Sequence, residues 1–94
     1  MPDGYQLPPH THPSFEHVEV KQGTLLVGMG DQLNLAKTVP LRVGDTATAP
    51  AGMQHYSVAK WPTIVAVTFM GPYTITYLHA YQAPKQQHSF PFTY

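Results

Sequence analysis

Ten prolines and seven glycines are scattered along these 94 residues, and that spacing rules out most folds. Proline lacks an amide donor and glycine carries a high entropic cost inside regular structure, so a long amphipathic helix finds no uninterrupted stretch to form in. Short β-type runs lie between the interruptions. Val18–Lys21 alternates apolar with polar residues, Thr24–Val27 resumes after Gly23, Thr63–Phe69 is rich in β-branched side chains, and Tyr73–Leu78 adds a further run. Turns are expected at Gly23, 28–31, 43–45, 50–52 and 71–72, and a short helical turn within 32–37. Several short strands with frequent turns predict an all-β sandwich or barrel.

A chain of this length forms one domain with a modest core, which a bound metal or a second subunit would help to stabilise. Five basic residues balance five acidic ones, and charged residues make up 11% of the chain, against the usual quarter of a soluble domain. Such a neutral, charge-poor surface argues against a nucleic acid or an anionic membrane as partner. The longest apolar stretch, residues 63–70, is too short to span a bilayer. With no cysteine, any metal must be held by histidine, carboxylate or backbone oxygen. The start, Met-Pro-Asp-Gly-Tyr-Gln, has no basic segment leading into an apolar run, so no secretory signal is read from it.

Histidine and glutamate supply the chemistry. Residues two apart in an extended chain point to the same face, so His10 and His12 converge, and Glu16, Val18 and Val20 share their parity. His17, Glu19 and Lys21 fall on the other face and are polar, which assigns the even positions to the interior unless a bulge intervenes. Two imidazoles and a carboxylate are costly to bury unpaired, and a cation offsets that cost. His55 follows the turn Pro50-Ala51-Gly52, which can aim it into the same cavity, although parity alone does not pair the two segments. Three imidazoles and a carboxylate suit manganese, iron, nickel, copper or zinc.

In these residues the chain resembles the cupin superfamily. His10-x-His12, three residues, Glu16, six residues, Gly23 matches the first cupin motif. Gly44, five residues, Pro50-x-Gly52, two residues, His55 matches the second, except that Ala59 stands where that motif ends in Asn. Gly4 is placed as the glycine that leads the first motif. The resemblance implies a cupin-type jelly-roll β-barrel, with one mononuclear transition metal near its mouth on His10, His12, Glu16 and His55. Copper is favoured, ahead of iron, manganese, zinc or nickel, because it heads the divalent affinity series. With copper, Glu16 would stand further from the metal.

The resulting expectation is a metal-dependent oxidoreductase that activates O2 or peroxide. Similarity to small copper-dependent cupins makes oxidative cleavage of cellulose or a related polysaccharide the first substrate to consider, with secretion implied in that case. The alternatives are a non-redox manganese, nickel or zinc lyase or isomerase, and a small-molecule or sugar-binding cupin without turnover. His17, His79 and His88 are read as surface residues, Met29, Met53 and Met70 as core filler, and Gln6, Gln54 and Tyr56 as weaker pocket candidates. The aromatic residues are read mainly as packing, with stacking on a ligand open to those near the metal. Residues 79–94 of the single domain are expected to form an arm, ending in Phe90, Phe92 and Tyr94, on the barrel or on the second subunit of a homodimer.

Overall fold

The computed structural model describes residues 1–71 and 75–78. Its elements are β1 (Gln6–Thr11), β2 (Glu16–Met29), a 3-10 turn (Leu35–Lys37), β3 (Val39–Arg42), β4 (Thr46–Ala49), β5 (His55–Phe69) and β6 (Thr76–Tyr77). The strands form one antiparallel sheet in the order β3-β2-β5-β1-β6, with β4 also paired to β2. The fold is an all-β jelly-roll barrel. No helix among the described residues is long and apolar enough to cross a membrane.

Two long strands carry the architecture. β2 and β5 pair from Glu16↔Phe69 to Met29↔His55, and β2 takes a second neighbour on each half: β4 along Glu16–Glu19, then β3 along Thr24–Val27. One strand thus serves two walls, which requires a sharp bend at its middle. The register slips there, between Val20 and Gln22 and again between Gln22 and Thr24. Gly23 sits at the bend with φ +74° and Trp61, on the facing part of β5, has φ +63°. This is a β-bulge, and it explains where the alternation predicted from sequence stops. Val18 and Val20 face the core as expected, but beyond Gly23 the inward positions are Leu25 and Val27. The two runs expected as separate strands around a turn at Gly23 are one bent strand.

Val20, Leu25 and Leu41 are buried at the centre of the core, and Met1, Val18, Val27, Ala47 and Val65 pack around them. Thr63, 1% exposed, ties the bend together. Its hydroxyl lies 3.1 Å from the Thr24 carbonyl and 2.9 Å from that of Trp61, while its backbone pairs in both directions with Met1. The Asp3 carboxylate accepts from the Trp61 amide at 2.5 Å, and the Lys60 ammonium lies 5.0 Å from the Trp61 ring centre.

The rest of the chain departs from expectation in small, explicable ways. The helical turn within 32–37 is a single 3-10 turn, with the Asn34 side chain accepting from the Ala36 amide. Tyr56 is core rather than pocket: it is 1% exposed, and its hydroxyl donates to the Asn34 carbonyl. Met29 and Met70 are 67% and 65% exposed and fill no core. Ala59, where the second motif would have Asn, is buried, and its backbone pairs with Gly4 and Tyr5. Of the run at 73–78 only Thr76–Tyr77 is a described strand. His79, His88 and the arm expected over 79–94 lie outside the described residues.

The bend generates a stability prediction. A Cβ at Gly23 would come within 2.5 Å of the Pro62 carbonyl oxygen, whereas at Gly44, with φ +91°, it would meet open space. Gly44→Ala is expected to cost about 1–2 kcal/mol from its left-handed backbone alone. Gly23→Ala adds overpacking and is expected to cost about 3–5 kcal/mol. Urea midpoints check this, and equal losses at the two positions would show that the bend is not sterically fixed.

Candidate metal centre

The site is built from strand ends that the β2/β5 ladder brings together. His55 opens β5 and stands opposite His10 of β1 on one side and Met29 of β2 on the other. Glu16 opens β2, and His12 lies one residue beyond the end of β1. Pro8 and Pro9 give β1 two positions without an amide donor, and the β1/β5 register shifts there, between Leu7 and His10. The turn at 50–53 closes through a Met53 amide to Pro50 carbonyl bond, and its Gly52 amide donates to the His12 carbonyl at 2.9 Å. That bond joins the two segments that strand parity left unpaired.

Three imidazoles meet as a result. The ring centres of His10 and His12 are 4.8 Å apart, those of His10 and His55 4.3 Å, and those of His12 and His55 5.1 Å. One ring nitrogen from each lies within 4.8 Å of the other two. His10 Nδ1 is 2.6 Å from the Pro8 carbonyl oxygen and His55 Nδ1 is 2.9 Å from that of Met53. A carbonyl only accepts, so each Nδ1 carries the hydrogen and each Nε2 keeps its lone pair, the tautomer a metal ligand needs. Glu16 Oε1 lies 3.5 Å from His12 Nε2 and 3.4 Å from His55 Nε2.

These separations can be set against what a metal requires. Two donors about 2.1 Å from a common ion stand roughly 3.0–3.4 Å apart at octahedral to tetrahedral angles. The Glu16 contacts fall at or just above the upper end of that range, whereas the imidazole nitrogens, up to 4.8 Å apart, would have to draw together to share one ion. Burial also holds the site in its ligand form. His10 is 2% exposed, and loss of hydration lowers its pKa to about 4; repulsion from His55 and His12 adds to the fall, while the Pro8 bond and Glu16 oppose it. Its imidazole is therefore neutral at neutral pH, with the lone pair available.

The structure gathers His10, His12 and His55 with Glu16 beside them, and leaves other candidates outside. His17 is on the opposite face, its Nδ1 2.7 Å from Thr48 Oγ1. Gln6 and Gln54 are exposed. Met53 contributes a carbonyl rather than a side chain, and Pro8 does the same, a role that leaves no trace in residue type. Tyr77 is the side chain the sequence did not single out: β6 sets it opposite His10, with ring centres 5.9 Å apart. A cleft of about 540 Å³ lies against His12, lined by Thr11, Pro13, Ala51, Gly52 and Thr76.

Among solved structures, the chain superposes on a cupin superfamily protein from Desulfitobacterium hafniense with a TM-score of 0.62 and 18% identity, over 76% of this chain and 62% of that one. It superposes on an oxalate oxidase in complex with the substrate analogue glycolate with a TM-score of 0.68 and 28% identity, over 83% and 42%. The chain has the cupin fold. In sequence the chain is 41% identical over 61 residues to germin-like protein 5-1 of Oryza sativa subsp. japonica, a match covering 64% of the chain and 28% of the rice protein. The chain thus spans under half the length of the oxalate oxidase and of the rice protein. No protein-family model matches it.

The lowered His10 pKa gives a pH dependence with a definite sign. The unfolded chain binds this proton near pH 6.5 and the folded one near 4, so the metal-free protein loses stability as pH falls from 6.5 to 4. The His10 contribution is about 3 kcal/mol in full. Urea midpoints at pH 7.5, 5.5 and 4 are expected to fall more steeply for the wild type than for His10→Gln. Parallel curves for the two proteins would show that His10 is not held neutral by burial.

Proposed function

We propose that this chain is a metal-dependent oxidoreductase that uses O2 to oxidise a small carboxylic acid of the oxalate class, with one transition metal held by His10, His12, His55 and Glu16. The observation that carries the reading is the Nδ1 anchoring of the buried His10 and the half-buried His55 on backbone carbonyls, which leaves the Nε2 lone pair of each ring available to a metal. The likeness to an oxalate oxidase at 28% identity supports the reaction class. It also moves the substrate from cellulose to a two-carbon acid, since the polysaccharide draws no support from the cleft or the relatives.

When bound, the metal supplies an electron-accepting centre with an open position. The chain supplies the rest. The Pro8 and Met53 carbonyls hold two rings in a fixed orientation, and burial keeps His10 unprotonated. Glu16 brings one negative charge to offset the cation, and a carboxylate among imidazoles suits manganese and iron as well as copper. The cleft beside His12 has room for a two-carbon acid, with Thr11 and Thr76 in its lining.

Two-electron oxidation of oxalate releases two CO2 and reduces O2 to hydrogen peroxide. Protein loaded in turn with manganese, iron and copper is expected to consume O2 and form peroxide when oxalate is added. His10→Ala and His55→Ala are expected to lose both metal and turnover. Saturable oxalate binding without turnover under every metal would overturn the oxidase reading in favour of a binding cupin.

The proposal includes a two-fold homodimer. Large apolar side chains at Val39, Val43, Trp61, Ile64 and Met70 are each more than half exposed, which favours a covering partner. Light scattering is expected to give about twice the chain mass of 10.4 kDa, and a monomer at micromolar concentration would remove this part.

A further inference from the structure

We infer that Tyr77 is a ligand-binding residue of the metal site, its phenol donating a hydrogen bond to whatever occupies the open position beside His10. The inference rests on the metal-site reading above and extends it to a residue outside both sequence motifs.

Register comes first. β6 consists of Thr76 and Tyr77 alone, and it is fixed on β1 by the pairs His10↔Tyr77 and Thr11↔Thr76 and by the Leu78 amide donating to the Pro9 carbonyl at 3.0 Å. Residues directly opposite each other on an antiparallel ladder project to the same face. His10 is 2% exposed, with its ring against His12 and His55, so the face Tyr77 shares with it is the one that holds the imidazole group. The two rings are 5.9 Å apart between centres and inclined at 59°.

Burial is the second observation. Tyr77 as a whole is only half-buried, yet its hydroxyl oxygen is among the fully buried polar atoms. The side chain therefore enters from the barrel surface with its polar end inward. A phenol both donates and accepts, so one protein contact does not exhaust it. Placed across from a ligand imidazole, it is suited to a small anionic or oxygen-bearing group, which its O–H would stabilise as a charge-assisted hydrogen bond.

Tyr77→Phe keeps the ring and removes the hydroxyl. The probe is azide, a small anion that enters open metal positions, titrated into cobalt(II)-loaded protein and followed by visible absorption. Cobalt affinity is expected to match wild type within about two-fold. Azide affinity is expected to fall by roughly ten-fold, the effect of one hydrogen bond to a charged group. Unchanged azide affinity would overturn the inference, as would a loss of cobalt affinity in proportion to that of azide, which would make Tyr77 a support for His10. If the wild type takes up no cobalt, the metal-site reading itself falls, and this inference with it. Should Tyr77→Phe not fold, Tyr77→Leu puts the same question with the same two readouts.

Discussion

The antiparallel pairing of β2 with β5 is the constraint on which everything else in this small barrel depends. The two strands run side by side for their whole length, bend together at Gly23 and Trp61, and so return both of their ends to one mouth. Glu16 and His55, the first residues of the two strands, meet there as a direct outcome. The bend also decides which side chains build the core, because the bulge moves the inward set from Val18 and Val20 to Leu25 and Val27. Fold and site are thus consequences of one irregularity in one ladder.

The mouth is polar where the barrel is apolar, and hydrogen bonding resolves the conflict. Burying imidazoles without partners would cost several kcal/mol in all. Two of the rings meet that cost through backbone carbonyls that the strand register leaves facing them. The orientation that satisfies each Nδ1 also directs the lone pair of Nε2 toward the group. Stability and metal competence come from the same contacts here.

Much of this was legible in the sequence, for identifiable reasons. His10, His12 and Glu16 could be placed on one face because a strand repeats every two residues, and the pairing of that face with His55 came from motif spacing. The turn before His55 was visible in Pro50 and Gly52, whose backbone preferences are strong. The bulge was not visible, since Gly23 reads equally well as a turn, and only the facing strand decides between them. β3 and β4 are four residues each, one with a proline and the other alternating alanine with threonine, so neither carries a clear strand signal. The carbonyls of Pro8 and Met53 act through backbone that every residue shares. Tyr77 depended on the register of a two-residue strand, which no local pattern encodes.

The ladder also orders events in time. Met29 and His55 are 26 positions apart in the chain, and Glu16 and Phe69 are 53 apart, at opposite ends of the same pairing. Closing the longer loop costs about 0.6 kcal/mol more than the shorter, since the penalty grows slowly with length, and non-local pairings of this kind are slow to form. Zippering from the nearer end would form the Met29↔His55 pair before the Glu16↔Phe69 pair. The mouth is therefore complete only when the ladder has closed along its whole length, because Glu16 and His55 belong to its two opposite ends.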